Sequence, residues 1–255
     1  MTRFTPHSFS KRTSMTLGLL TLALTLAISG AAQAFQVQPM SYVLEPSGEG
    51  SRQTLRIENS FRHAVAIEIE VSRRFMDESG QVSHEPAEED FLVFPPQTRL
   101  EPGAIQAVRV QYIGDPALTE THAYTIAARQ VPVRSPESDT ATVQVVFNMG
   151  TAAYVRPRGA RAELAPVEII HSDDENQLIA VVHNRGNGHT NLHNALWSVR
   201  NGDGSEQTLD RETVQEMLNN PIIYPGHTRR IPLPAEVMGT GSDSTLSIRM
   251  SRHGA

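Results

Sequence analysis

Three histidines close together in the second half of the chain are the residues whose spacing first suggests chemistry. They are His183, His189 and His193, and the last two stand four positions apart. On a helix, that spacing would turn two imidazoles toward one metal ion. The segment around them contains Gly186 and Gly188, which predict a β-turn, so the imidazoles would not share a helical face. We therefore expect no metal site at these histidines.

Sequence motifs for catalysis are absent as well. The chain has no phosphate-binding glycine loop, no G-x-S-x-G elbow and no H-E-x-x-H motif. The acidic run at 173–175 fits a charged turn better than an acid/base pair. There is no cysteine, which excludes thiol chemistry and disulfides. We predict no catalytic residue, no cofactor and no enzyme activity, and we rank a hydrolase built on a β-sandwich last among the functions considered.

The stretch TVQVVFNMGTAAYVRP, residues 142–157, carries a different kind of chemistry. Its odd positions are almost all apolar, whereas its even positions are mixed. This alternation over about fourteen residues predicts one unusually long β-strand. A strand of that length presents an apolar face that must be covered by something. The odd positions are Val143, Val145, Phe147, Met149, Thr151, Ala153 and Val155.

The first 34 residues predict a secretory signal peptide. Three basic residues precede an apolar run at 17–28, and Ala32-Gln33-Ala34 follows it. The run is shorter than the roughly 20 residues that a membrane span needs. Cleavage after Ala34 would change 22 basic and 28 acidic residues to 19 and 28, a net charge of −9. A surface with this excess of acidic residues argues against nucleic acids and anionic membranes as partners. We also expect no membrane insertion.

The rest of the chain consists of short alternating runs separated by turn residues, which predicts an all-β protein. We expect a signal peptide at 1–34, a first immunoglobulin-like sandwich at 35–157 and a smaller sandwich at 158–255. Within them we expect one strand at 35–44, a loop at 83–90, a linker at 134–140, a strand at 192–199 and a short helix at 211–219.

Several motifs, in order along the chain, resemble those of the periplasmic chaperones of the chaperone–usher pathway, which assemble bacterial pili. The resemblance covers most of the mature chain and is strongest in its first half, whose sequence is most similar to the archaic branch of the family. The motifs are FLVFPPQTRLEPG (91–103), QAVRVQYIG (106–114), AYTIAARQVPV (123–133), the long strand ending in Arg156-Pro157, and VVHNRGNGHTNL (181–192), with EPSGEGSRQTLRIENS (45–60) indicating the branch.

This resemblance implies two immunoglobulin-like domains in an L or boomerang arrangement. It also implies that the long strand fills the open groove of an incomplete pilus subunit, which the chaperone then delivers to an outer-membrane usher. Matching the motif places the donor side chains at Val143, Val145 and Phe147, with Met149 as the fourth. We expect these odd side chains to be exposed in the free protein and even-numbered Val146 to pack in the protein's own core. An exposed apolar strand also predicts a capping contact or self-association of the free protein.

The resemblance also predicts a site for the carboxylate at the end of the subunit, and here the sequence departs from the family. Well-known members use two basic residues, which align with Ser41 and Ala152 in this chain. The mature chain has no lysine, so an arginine must serve if the site exists. Arg129 is the first candidate, and Arg156 and Arg109 are the alternatives. A second hypothesis for the whole chain is a secreted structural or adhesive two-domain protein that binds no incomplete subunit.

Overall fold

The computed structural model of the chain describes residues 35–132, 146–171, 178–234, 237 and 244–250. The predicted signal peptide at 1–34, the predicted linker at 134–140 and the acidic run at 173–175 lie outside these ranges, as do Val143 and Val145.

Eighteen strands and one α-helix make up the described part of the chain. They are β1 (Phe35–Gln38), β2 (Ser41–Leu44), β3 (Arg52–Asn59), β4 (Val65–Met76), β5 (Val82–Pro86), β6 (Phe91–Phe94), β7 (Gln97–Leu100), β8 (Ile105–Tyr112), β9 (His122–Val131), β10 (Asn148–Val155), β11 (Glu168–His171), β12 (Leu178–His183), β13 (Thr190–Asn191), β14 (Ala195–Arg200), β15 (Glu206–Thr208), α1 (Arg211–Met217), β16 (Ile222–Ile223), β17 (Thr228–Leu233) and β18 (Thr245–Met250).

The first half of the chain folds into two facing sheets. One has the strand order β1-β3-β8-β6, and the other has the order β2-β10-β9-β4-β5, with β7 also paired to β4. Alternate residues of each strand point into the space between the sheets, as the period of a β-strand requires. Ile57, Val108 and Tyr124 are completely buried there. β10 is thus one of the strands of this sandwich, and with eight residues it is shorter than the strand of about fourteen residues that we predicted, because residues 146 and 147 are not part of it.

The segment at 35–44 forms two strands instead of the single strand that we predicted. β1 pairs antiparallel with β3 in one sheet, and β2 pairs parallel with β10 in the other. Pro39 lies between them and has no N–H to donate to a ladder, which favours a break at this point. The chain therefore changes sheets here, and β2 comes to lie beside β10.

The prediction of a loop at 83–90 was wrong for most of that segment. β5 pairs antiparallel with β4, and a turn of 3₁₀ helix at Glu88–Asp90 follows it. β5 is the last strand of its sheet, and Pro86 is its last residue. A proline is tolerated at such an edge position because no partner needs its missing N–H. A tight turn at 77–80 joins β4 to β5.

The second half has its own core and three small sheets, with the orders β11-β12-β17, β13-β16 and β15-β14-β18. Trp197 is buried in this core, and its indole N–H donates to the carbonyl of Leu192 at 2.9 Å. The predicted strand at 192–199 begins later than expected, since residues Leu192–Asn194 form a turn of 3₁₀ helix. The predicted helix is present as α1, and the Asp210 side chain caps its first turn by accepting from the Thr213 N–H.

The buried side chain of Asn184 holds the turn that links β12 to β13. Its amide donates to the carbonyls of Gly188 and Tyr224, and its oxygen accepts from the N–H groups of Glu163 and Gly186. All four hydrogen-bonding positions of this amide are therefore used inside the fold. The segment that we predicted as a turn from its glycines is fixed by this one residue.

The all-β prediction is confirmed, with α1 as the one α-helix that lies entirely within the described residues. None of the described helices has the length and the apolar character needed to cross a membrane. The division of the mature chain at 157/158 stays a prediction. Ala160 donates its N–H to the carbonyl of Pro157 there, so the chain turns at that place.

Candidate functional site

Strand β10 has one backbone edge that lacks a partner over part of its length. The Phe147 carbonyl accepts from the Gln130 N–H at 2.8 Å, on the side of β9, whereas the Ala152 N–H donates to the Met40 carbonyl, on the side of β2. Because backbone groups alternate along a strand, those of Asn148 and Gly150 face the side of β2. The pairing with β2 covers only Ala152–Val155. Among the described residues, Asn148 and Gly150 therefore leave their N–H and C=O groups open to another strand.

The odd side chains of β10 face the core of the first sandwich. Thr151, Ala153 and Val155 are fully buried in it, and the Thr151 hydroxyl donates to the Ile126 carbonyl at 3.0 Å. Phe147 and Met149 continue the same face and are half-buried where the core ends. The odd positions thus supply one continuous apolar face that begins inside this protein and runs toward its boundary.

Two details of the predicted orientation were wrong. Val146 does not pack in the core, because 44% of its surface is exposed. Phe147 is not fully exposed in the free protein either, since its ring contacts the rings of Phe35 and Phe61, with centroid distances of 6.4 and 5.3 Å. The physical reason is that side chains alternate strictly along a strand. The odd residues that fill the core and the odd residues beyond its end therefore lie on the same face, and Val146 lies on the other.

The ring of Phe61 covers Phe147 from a loop. Phe61 lies between β3 and β4, and its ring stacks on that of His63 at 5.2 Å. Both Phe61 and Phe147 pack against the first core. Such a contact removes apolar surface from water, and the predicted capping of the strand takes this form at Phe147.

The two positions that align with the family's basic pair lie directly opposite each other. Ser41 of β2 and Ala152 of β10 are partners in the parallel register. Neither side chain carries charge, so this place in the fold holds no cation of its own.

Arg129, the first candidate for a carboxylate site, is already paired with acidic residues. Its guanidinium lies 3.0 Å from a Glu68 oxygen and 2.6 Å from a Glu70 oxygen. Both glutamates lie on β4, which pairs with β9, the strand of Arg129. Arg109 lies on β8, in the opposite sheet, with its side chain exposed. The structure thus does not bring Arg129 and Arg109 together, and it provides Arg129 with two internal carboxylates.

Arg156 follows β10 and lines a cleft of about 790 Å³ together with His189. The His189 ring stacks on Tyr154, with ring centroids 3.9 Å apart and planes 11° from parallel. Burial, with a smaller contribution from the charge of Arg156, lowers the pKa of His189 to about 4. A neutral, flat imidazole therefore packs on β10 beside a cation.

A cationic group that we did not predict lies on the same face of the sheet as Tyr154. The Nε of Arg74, on β4, is buried and has no hydrogen-bond partner among the described residues, and neither has the buried hydroxyl of Tyr224. Burial raises the pKa of Tyr154, an effect that the nearby Arg74 partly offsets, and it raises the pKa of Tyr224 to about 12. Unpaired donors surrounded by protein favour an anionic group as their complement.

A weak signal in the sequence could have indicated Arg74. The alternation of Val65, Ile67, Ile69 and Val71 continues to position 74, which places Arg74 on the face opposite the core. The sequence does not show that Arg74 lies near Tyr224, because Tyr224, which is nearly completely buried, comes from the other half of the chain. Met76, Ala123, Tyr154 and Tyr224 form one apolar cluster between the two halves.

The three histidines considered first do not form a metal site. His183 shares a hydrogen bond with the Thr228 hydroxyl at 3.0 Å, and His189 stacks on Tyr154. In the portions of the chain that the structure describes, no three histidine, aspartate or glutamate side chains converge on a point that could hold a metal ion.

Comparison with solved structures identifies the fold of the two sandwiches. E. coli chaperone DraB matches with a TM-score of 0.52 at 19% identity, covering 84% of this chain and 96% of its own. The Acinetobacter baumannii chaperone–tip subunit complex CsuC–CsuE matches with a TM-score of 0.53 at 10% identity, covering 84% and 97%. The Salmonella enterica SafA pilin–SafB chaperone complex matches with a TM-score of 0.52 at 15% identity, covering 86% and 98%. At these identities the matches establish the fold, two immunoglobulin-like domains.

The family is given by the sequence itself. Residues 36–161 match the model of the pili and flagellar-assembly chaperones, PapD N-terminal domain. Through this domain the chain belongs to the pilus-assembly chaperones, a family of assembly factors and not of enzymes. Among curated protein sequences, none matches the chain.

Proposed function

We propose that this protein is a periplasmic, ATP-independent chaperone that caps pilus subunits by lending them β10. The observation that carries the proposal is the open edge of β10 at Asn148 and Gly150. A strand from a subunit that paired there would complete the hydrogen-bonded ladder, and the odd side chains would enter its groove. This is β-augmentation, in which main-chain bonds give affinity and alternate side chains give specificity.

The position of Phe147 and Met149 supports the same proposal. A client docked at the open edge would extend the sheet, so its core would meet the core of this chaperone along the odd face of β10. The two half-buried side chains lie where those cores would join. Burying the rest of each ring or chain would contribute of order 1 kcal/mol. Val143 and Val145, which lie outside the described residues, would extend the same face by two further positions.

The cellular side of the proposal rests on the leader and on the family. The basic, apolar and A-x-A order of residues 1–34 predicts export, and the family is one of periplasmic chaperones. Delivery to an outer-membrane usher and membership of the archaic branch rest on the resemblance of the motifs alone. The complexes of CsuC and SafB contain a tip subunit and a pilin, respectively, so subunits of this kind are the clients that we propose.

We further infer that Arg74, and not Arg129, receives the carboxylate of the client. Arg129 forms ion pairs with Glu68 and Glu70, whereas Arg74 forms no ion pair with any described carboxylate and lies beside Tyr154. Arg156 is the second candidate because it lines the cleft next to His189. Arg74→Met should reduce client capture, and Arg129→Met should leave it unchanged. The opposite order would return the assignment to Arg129.

The experiment that tests the function is co-expression of the tagged protein with the pilus subunits of its own host, followed by purification from the periplasm. Phe147→Asp would place an unpaired carboxylate in an apolar groove, a penalty of several kcal/mol, so about three decades of affinity should be lost. Val146→Asp is the matched control, since Val146 lies on the opposite, exposed face. Thermal unfolding of both free variants separates loss of capture from loss of folding.

Two outcomes would reject the proposal. If no subunit co-purifies with the wild-type protein from the periplasm, the hypothesis of a secreted structural protein becomes the better one. If Val146→Asp abolishes capture while Phe147→Asp does not, the odd face of β10 is not the donor face.

A further inference from the structure

Arg229 is a charged residue buried deeply between the two halves of the chain. It lies on β17, and only 3% of its surface is exposed. Its Nη1 donates to the carbonyls of Asn220 and Ile222 at 2.7 and 2.9 Å. No carboxylate lies within ion-pair distance of it among the described residues. Burial lowers the pKa of this guanidinium, and the charge of Asp77 offsets part of that effect. So costly a burial calls for a structural reason.

The guanidinium reaches the hairpin turn that joins β4 to β5 in the first sandwich. Its Nη2 donates to the Ser79 carbonyl at 3.4 Å, and its Nη1 lies 3.5 Å from the Met76 sulfur. The next residue in β17 contributes a backbone bond, since the Arg230 N–H donates to the Glu78 carbonyl at 2.8 Å. The Asn220 amide donates to the carbonyl of Gly80 at 3.3 Å. The turn at 77–80 is thus held by the second half of the chain at three of its four carbonyls.

The hairpin turn is itself built to receive this side chain. The Asp77 carboxylate accepts from the Ser79 hydroxyl at 2.7 Å and from the Gln81 N–H at 2.9 Å, which fixes the turn from within. Gly80 has a φ of 93°. A Cβ at this position would overlap the Arg229 guanidinium, with Nη2 as its nearest neighbour. Position 80 therefore needs glycine for two reasons, its backbone conformation and the room that Arg229 occupies.

The elements that meet here are those that carry the proposed carboxylate site. Arg74 lies on β4 two residues before Met76, and Tyr224 follows β16, whose Ile222 carbonyl is bound by Arg229. Because Met76 and Tyr224 belong to the same cluster between the halves, a guanidinium bound to both sides of that cluster fixes their separation.

We propose that Arg229, seated in the 77–80 turn, is a positioning residue that holds the two sandwiches in the arrangement needed to capture a client. This inference rests on the proposed function, because it assigns a role in that function to a residue that touches no client. A planar guanidinium with several donors suits a socket made of carbonyls, whereas a single ammonium cannot reach all of them. Arg229→Lys should therefore rescue only part of what Arg229→Met loses.

The first experiment measures the distance between the two sandwiches in the absence of any client. Because the chain contains no cysteine, spin labels can be attached at Thr54→Cys in the first sandwich and Gln207→Cys in the second, both exposed. We expect a single narrow distance distribution in the wild-type background. Arg229→Met should broaden it at least twofold, and Arg230→Ala should not, since Arg230 binds the turn through its backbone.

A second variant acts from the opposite side of the contact and avoids the loss of a buried side chain. Gly80→Ala should displace Arg229 and broaden the distribution in the same way. Gly103→Ala is the matched control, because Gly103 also has a positive φ, of 72°, but a Cβ there meets no neighbouring atom. Both substitutions carry similar backbone strain, so a difference between them reports the contact with Arg229.

The second experiment measures capture of the co-expressed subunit by the same variants. We expect at least a tenfold lower yield of complex for Arg229→Met and Gly80→Ala, with unfolding transitions of both sandwiches retained, and near-wild-type yields for Arg230→Ala and Gly103→Ala. An unchanged distance distribution in Arg229→Met would overturn the proposal, and so would a broadened distribution with undiminished capture. If the wild-type protein captures no subunit, the proposed function fails, while the spin-label result still decides whether Arg229 fixes the arrangement of the two sandwiches.

Discussion

Replacing His189 with phenylalanine is expected to make folding less sensitive to acid. In the wild-type protein, His189 packs as a neutral ring on Tyr154 next to the cation of Arg156. Its pKa falls from an ordinary 6.5 to about 4 in the folded state. The folded state therefore resists protonation that the unfolded state accepts. Phenylalanine keeps a flat ring on Tyr154 and removes the titrating group.

The sign and the size of the effect follow from proton linkage. A base with a depressed folded pKa costs nothing above the unfolded pKa of 6.5, and stability is lost as the pH falls from there toward 4. A shift of this size corresponds to a loss of about 1.4 kcal/mol at pH 5.5 and about 2.5 kcal/mol at pH 4.5. Below pH 4 the loss from this group becomes constant.

The assay is urea unfolding at pH 7.5, 5.5 and 4.5 for the wild type and His189→Phe. The variant should lose about 2.5 kcal/mol less than the wild type between the highest and the lowest pH. Arg156→Met should reduce the acid sensitivity by a smaller amount, because burial is the larger cause of the shift and Arg156 the lesser one. Equal pH dependence in the wild type and His189→Phe would refute the assignment of acid sensitivity to this stack.

Three stability predictions concern other contacts of the fold and are all measured by urea unfolding at pH 7.5. Phe147→Ala should cost about 1–2 kcal/mol, since the ring is half-buried against the core, and a cost as small as that of Val146→Ala would show that the ring makes no contact in solution. Asn184→Ala should cost about 3 kcal/mol or more, because four backbone groups lose their partner, two of them in buried hydrogen bonds; a change below 1 kcal/mol would contradict the network. Asp210→Ala should cost about 1 kcal/mol through loss of the cap of α1, and an unchanged transition would argue against that cap.

Most of the first sandwich could be predicted from the sequence because its strands alternate regularly between turn residues. The run from Val65 to Val71 gives a strand with a buried face, and the glycine and aspartate at 77–80 give the turn that ends it. The exchange of sheets at Pro39 could not be predicted. A strand's alternation shows which side chains are buried, and it does not show which neighbour the backbone pairs with.

The sequence shows which side chains of β10 share a face, but it does not show which face packs against the protein's own core. The alternation separates Phe147 from Val146 correctly. It cannot say which set meets the protein's own core, because both sets contain apolar side chains. The buried Thr151 decided this in the structure, since its hydroxyl is bonded to a backbone carbonyl inside the sandwich.

The contacts between the two halves were beyond prediction for a different reason. Arg229 and Gly80 are about 150 residues apart in the chain, and neither belongs to a motif. A long-range contact between a buried arginine and a turn leaves no period in the sequence, so only the structure can join the two. The same holds for Arg74 and Tyr224.

The central claim is that β10 offers its open backbone edge to a client, and hydrogen exchange of individual amides tests it most directly. The N–H groups of Asn148 and Gly150 should exchange rapidly in the free protein and slow by on the order of a hundredfold or more in a complex with a pilus subunit. The N–H of Ala152, which is bonded to Met40 in the free protein, should be protected in both states. Equal exchange of Asn148 and Gly150 in the free and the bound protein would contradict the account.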